Sequence, residues 1–124
     1  MDDNVTSLLK DSLLLVWSER DDKQRMQVIK RIYADDIVFY ETDNGPAIQG
    51  HQAIDSLIKT LQSQWPPDFA FTLTNPVVTN HGVSHVAWTL GPVNATPAAS
   101  GMDIAIVERG LIKELYLYLD APAG

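Results

Sequence analysis

The chain has no cysteine among its 124 residues. Thiolate nucleophiles, disulfide frameworks and cysteine-ligated metals are therefore excluded. Basic residues are scarce: nine Lys and Arg stand against sixteen Asp and Glu, for a formal net charge of −7 and a pI of about 4.6. Nucleic acid and anionic membrane surfaces both select basic patches, so neither is expected as a partner. No apolar run approaches the ~18 residues of a spanning helix, and no transmembrane segment is expected. There is no HExxH, no glycine-rich phosphate loop and no nucleophile elbow. His51, His81 and His85 are not spaced as ligands on one face, so the sequence predicts neither a metal nor a cofactor. The start, Met1-Asp2-Asp3-Asn4, is acidic and lacks the basic region of a secretory leader, which makes a soluble cytoplasmic protein the simplest expectation.

What is present suffices for one core. Hydrophobic residues make up 45% and the mean hydropathy is −0.07. With no repeat, linker or low-complexity tract, residues 1–124 read as a single domain, within the usual range of roughly 100–150 residues. Asp3 or Asn4 can cap a first helix that runs to about Trp17, with Val5, Leu8, Leu9, Leu13, Val16 and Trp17 at helical spacing. Asp21 or Asp22 can cap a second, which turns Met26, Ile29, Ile32 and Tyr33 inward and leaves Lys23, Arg25, Lys30 and Arg31 mostly solvated. Ile37–Tyr40 reads as a short buried strand, and residues 42–49 as a polar loop dense in turn formers. Ile54, Leu57, Ile58, Leu61 and Trp65 form one stripe of a third helix, which Pro66-Pro67 stops.

From Phe69 the period changes to two. Strands are predicted over Phe69–Leu73, Val77–Thr79, Val83–Leu90, Gly101–Glu108 and Leu111–Asp120, with hairpin turns at Asn80-His81-Gly82 and Arg109-Gly110. Helices followed by a meander imply an α+β domain: three N-terminal helices on one face of a mostly antiparallel sheet of about six strands.

Several separated segments carry a family likeness. They are Trp17-Ser18-Glu19-Arg20-Asp21, Tyr33-Ala34-Asp35-Asp36-Ile37-Val38-Phe39, Gly50-His51-Gln52-Ala53-Ile54, Trp88-Thr89-Leu90-Gly91-Pro92, Gly101-Met102-Asp103 and Gly110-Leu111-Ile112. In this order the chain resembles the SnoaL-like branch of the nuclear-transport-factor-like superfamily, which also contains ketosteroid isomerases. The likeness covers about Leu8 to Asp120. It implies a strongly curved sheet wrapped around the helices as a cystatin-like cone or half-barrel, open at one end into an apolar pocket. It leaves the activity open, because this superfamily hosts isomerases, cyclases, dehydratases, epoxide hydrolases and non-catalytic binding modules. A nuclear-transport adaptor role has only the fold in its favour.

Two carboxylates stand out. Asp103 lies alone on an apolar strand, where burial would raise its pKa and let it donate a hydrogen bond near neutral pH. A buried aspartic acid does so in the oxyanion hole of ketosteroid isomerase, a standard example of the effect. The structural alternative is an Asp bonded to backbone or to a Trp N–H. Glu41 ends the first strand, where the resemblance places the isomerase's general base. Its alternative is an exposed Glu at a loop edge. The resemblance places the isomerase's hydrogen-bonding tyrosine where this chain has Leu13, which cannot donate; Trp17, one turn on, could offer its indole N–H instead.

The expected pocket wall is Leu13, Trp17, Phe39, Leu57, Ile58, Phe71, Trp88, Leu115 and Leu117, around a small apolar molecule. If Asp103 faces inward, then Gly101, Ala105 and Val107 share its side, and Met102, Ile104 and Ile106 face out. In the last strand, Tyr116 and Tyr118 would face out as well. An outer face that apolar needs a cover, and a homodimer through it is the expectation.

Overall fold

The computed structural model describes residues 2–120, with side chains from residue 6 onward. The chain opens with α1 (Asp2–Asp11), which runs directly into a π-helical turn at Ser12–Trp17. Asp3 and Asn4 thus lie within the first helical turn rather than capping it, and the cap position falls on Met1, outside the described residues. The wide apolar run Leu13–Trp17 is accommodated by the π turn, which buries Ser12, Leu13, Val16 and Trp17 together. Single π turns of this kind concentrate at functional sites. The second helix, α2 (Asp22–Ile32), is capped by Asp21, whose carboxylate accepts from the Gln24 N–H at 2.9 Å.

Tyr33 ends that helix and begins β1 (Tyr33–Tyr40), four residues earlier than the sequence pattern indicates. The polar loop contains a short β2 (Ile48–Gln49), which pairs antiparallel with β1 and precedes α3 (His51–Gln64). The remaining strands are β3 (Phe69–Leu73), β4 (Val78–Asn80), β5 (Val83–Pro92), β6 (Ala99–Glu108) and β7 (Leu111–Leu119). Among the described residues this makes three α-helices and seven strands, β2 being the one read as loop. The domain is α+β. The sheet order is β2-β1-β7-β6-β5-β3 with β4 on β5, and every pair is antiparallel except β1 with β7. Register shifts in the β1–β7 and β6–β7 ladders mark bulges, which bend a sheet. Both predicted hairpin turns form, with positive φ at His81 and Gly82 and again at Arg109 and Gly110.

One core lies between the helices and the sheet. Leu9, Leu13, Val16, Ile29, Ile32, Ile37, Ile54, Ile58, Ala105, Ile112 and Leu115 are all buried in it. The third helix buries Ile54, Ile58 and Gln62, with Leu57, Leu61 and Trp65 packed half-buried against the core. Burying a large apolar side chain contributes ~1.5–3 kcal/mol, so Ile54 and Ile58 anchor this helix.

The second helix departs from its predicted wet face at one residue. Arg25 is fully buried. Its Nε donates to Asp55 Oδ1 at 2.6 Å, its Nη1 to the Glu19 carbonyl at 2.8 Å and Gln62 Oε1 at 3.1 Å, and its Nη2 to Asp22 Oδ1 at 2.5 Å. Gln62 Nε2 in turn donates to the carbonyls of Trp17 and Glu19 at 3.1 and 2.9 Å. The end of the π turn is thereby bolted to both α2 and α3. No described helix is long and apolar enough to cross a membrane.

Candidate ligand pocket

The period-two alternation of β5 sends Ser84, Val86, Trp88 and Leu90 inward, all buried, while His85 on the other face is exposed. On β6 the inward residues are Gly101, Asp103 and Ala105, paired across the ladder with Trp88, Val86 and Ser84. This register sets Trp88 diagonally from Asp103. A methyl group added at Gly101 would sit 2.7 Å from Trp88 Cζ2 and 2.7 Å from the Tyr118 carbonyl oxygen. Only a glycine leaves room for the indole there. Held in that way, Trp88 Nε1 donates to Asp103 Oδ1 at 2.9 Å.

Asp103 is 5% exposed. Burial pushes its carboxyl up to about 7, against the opposing pull of the Trp88 N–H, which favours the ionised form. Near neutral pH the group therefore exists in both protonation states. No buried side-chain polar atom among the described residues lacks a partner, and the protein bonds only Oδ1, so Oδ2 reaches the cavity.

That cavity has a volume of about 220 Å³. The π turn contributes Leu13 and Trp17 to its wall, β1 contributes Phe39, and Glu41 follows at the strand's end. Leu61 and Trp65 close it from the end of α3, with Phe71 from β3 and Trp88 and Leu90 from β5. Ala99 and Asp103 of β6 and Leu117 and Leu119 of β7 complete it. Glu41 and Asp103 are the two ionisable residues on the wall, and they differ in burial, Asp103 being buried and Glu41 only half-buried. Phe71 packs edge to face with Trp88 at 5.0 Å between centroids and with Trp65 at 5.8 Å, while Trp17 and Phe39 lie tilted to each other at 5.1 Å.

Three residues expected on the wall do not line it. Ile58 and Leu115 are fully buried in the core, and Leu57 packs beside them. The cavity meets α3 at its last turns, so Leu61 and Trp65 take the places given to Leu57 and Ile58. Leu90, Ala99 and Leu119 also line the wall; strand alternation puts Leu90 on the face of Trp88 and Leu119 on that of Leu117, but does not say that they reach the cavity.

Tyr33 was missed as a polar neighbour of the site. Its fully buried hydroxyl accepts from Trp17 Nε1 at 3.1 Å and lies 2.5 Å from Ser12 Oγ. Burial pushes this phenol well above its ordinary range; the Ser12 and Trp17 bonds oppose that rise, and the nearby Asp103 charge adds to it. The Trp17 N–H is therefore committed to Tyr33 and does not replace the tyrosine that Leu13 lacks. His51 Nε2 bonds the Tyr33 carbonyl at 3.0 Å, which ties the start of α3 to β1.

No protein-family model matches the chain, and no curated protein matches it in sequence. Solved structures do. A SnoaL-like protein from Agrobacterium tumefaciens, proposed as an isomerase, superposes with a TM-score of 0.83 at 18% identity, covering 96% of this chain and 99% of its own. A SnoaL-like protein from Jannaschia, proposed as a polyketide cyclase, gives 0.78 at 12% identity over 95% and 86%. An epoxide hydrolase of the LEH-like type from M. tuberculosis gives 0.66 at 15% identity over 95% and 84%. These neighbours differ in chemistry and agree in architecture. The chain has the fold of the SnoaL-like and NTF2-like proteins.

Proposed function

We propose that the protein binds a small, mostly apolar molecule in this cavity and performs cofactor-free acid–base chemistry on a carbonyl-bearing ring compound. Asp103, neutral at the moment of reaction, would donate from Oδ2 to the oxygen on which charge develops. Glu41 would take a proton from the carbon beside the carbonyl and return it to another carbon. The observation that supports this reading is the presence of both carboxyl groups on the wall of one cavity. At about 220 Å³ the cavity is smaller than the roughly 300–1,000 Å³ of drug-sized sites, which argues for a monocyclic compound and against a steroid.

A cyclic β,γ-unsaturated ketone of one ring, such as cyclohex-3-enone, tests the reaction class, because its conjugated product absorbs in the ultraviolet. Turnover above the buffer rate, lost in both Asp103→Asn and Glu41→Gln while binding persists, is the expected result. Unchanged turnover in Asp103→Asn would remove that residue from the mechanism.

A second reading has its own support. Asp103 already accepts the Trp88 N–H, which is the bond a purely structural aspartate would make. In that reading the domain holds a ligand, or dimerises, without turnover. Dimerisation has a surface to use: Met102, Ile104, Ile106 and Tyr116 lie on the outer face only half-buried, and Tyr118 is 57% exposed. Tyr40 and Tyr116 stack there at 4.8 Å. We expect a homodimer by sedimentation at micromolar concentration; a monomer would count against it.

A further inference from the structure

We propose that the molecule this cavity takes is a monocyclic ammonium ion, held by cation–π contact with the aromatic wall and by the two carboxyl groups. The inference rests on the reading of the cavity as a ligand site, and it belongs with binding rather than turnover, because a carboxylate held ionised by a cation has no proton to donate. Three observations carry it. Five aromatic side chains, Trp17, Phe39, Trp65, Phe71 and Trp88, line one space of about 220 Å³. Aromatic faces attract a weakly hydrated organic cation, and the attraction grows once both are removed from water. The wall carries two acidic residues and no Lys, Arg or His. A negatively charged ligand would meet only like charge, which excludes carboxylates and phosphates. The whole chain is acidic as well, with a net charge of −7, so a cation is drawn toward it from solution.

The two acids would act differently. Glu41, half-buried at the strand end, supplies charge with solvent still beside it. Asp103 is deep and shares its environment with the Trp88 N–H, the Tyr33 hydroxyl and the Ser12 hydroxyl behind it; Glu41 is the other titratable group on the same wall. A bound cation favours the ionised form of Asp103, so binding releases a proton wherever the free protein still holds one. Burial places that window at and below about pH 7. Affinity for the cation should therefore rise as pH rises through 7 and level off above it.

The test is a matched pair, phenyltrimethylammonium and tert-butylbenzene, which share shape and differ in a nitrogen cation against a carbon. Tryptophan fluorescence reports binding, because three indoles face the cavity. Benzoate serves as the anionic control. The expected result is at least tenfold tighter binding of the cation than of its neutral twin, with the preference growing between pH 6 and 8. The preference should shrink in Glu41→Gln, with an unchanged melting transition as the check that the variant is folded, and benzoate should not bind. Equal or tighter binding of tert-butylbenzene would overturn the proposal and leave the cavity as a site for neutral ligands. Binding of neither probe by a protein with an intact melting transition would instead remove the reading of the cavity as a ligand site.

Discussion

Arg25 and Asp103 are both buried ionisable residues, and the fold treats them in opposite ways. The guanidinium has a partner for each of its nitrogens: two carboxylates, a carbonyl and a glutamine, all within 3.1 Å. Its charge is neutralised and four of its five N–H donors are bonded, so it is committed to the scaffold. The Asp103 carboxyl receives one hydrogen bond, from an indole, and faces an apolar hollow with its other oxygen. No cation among the described residues compensates it, and its proton affinity climbs accordingly. A satisfied buried charge is scaffold. An under-satisfied one, kept on the wall of a cavity, stores proton affinity that a bound molecule can use.

The comparison breaks first at Arg25. Arg25→Ala leaves Asp55 and Gln62 without their donor and opens a void between α2 and α3. Removing one partner of a buried pair costs ~3–5 kcal/mol, and urea denaturation should show a loss of that size. A loss below about 1 kcal/mol would mean that the network is ornamental. Asp103→Asn should act in the other direction at high pH. The unfolded chain releases this proton near 3.8 and the folded chain near 7, so between those values the folded state holds the extra proton. Stability then falls as pH rises across that window and is level above it. At ~1.36 kcal/mol per pH unit, the upper figure for the loss is roughly 4 kcal/mol. The asparagine can still accept from Trp88 and has no proton to lose. The variant should gain on the wild type as pH rises from about 4 to 7 and keep that lead above 7, as read from denaturation midpoints at pH 4.5 and 8. Parallel pH profiles for the two proteins would show that Asp103 is solvated in the folded state.

The same contrast explains what was legible beforehand. Asp103 and Trp88 could be found because strand parity is local: once one inward residue is placed, every second neighbour follows, and an acid among valines and isoleucines is conspicuous. Arg25 could not. Its partners Asp55 and Gln62 lie thirty and thirty-seven positions away on another helix, and a lone Arg beside Lys23 and Gln24 has the signature of a solvated face. Tyr33 fails for a related reason. It fits the spacing of the second helix as well as the start of a strand, and its β pairing is with Ile112, at the far end of the chain. The third helix shows where pattern stops. Its stripe is readable from Ile54 to Trp65, but which turn meets the cavity depends on how the helix sits against the sheet, so the pattern alone does not separate Leu57 from Leu61, which lines the wall. The two-residue β2 is held by pairing with β1 rather than by any propensity of Ile48 and Gln49.

The finest way to sharpen the comparison is to take from Asp103 the one bond it has. Trp88→Phe keeps a ring over Gly101 and deletes the N–H. That N–H favours the ionised carboxyl, so its loss should raise the Asp103 pKa above about 7. A hydrogen bond of this kind is worth ~1 kcal/mol, which corresponds to a rise of somewhat less than one pH unit. Carbon-13 NMR of the aspartate carboxyls reads the midpoint directly, and it separates this effect from any stability lost to the smaller ring. The alternative variant, Gly101→Ala, reaches the same bond from the other side: the added methyl evicts the indole from its seat and should move the midpoint in the same direction. A midpoint that stays put in both variants would mean that burial alone sets this acid, and that the tryptophan is there for its bulk.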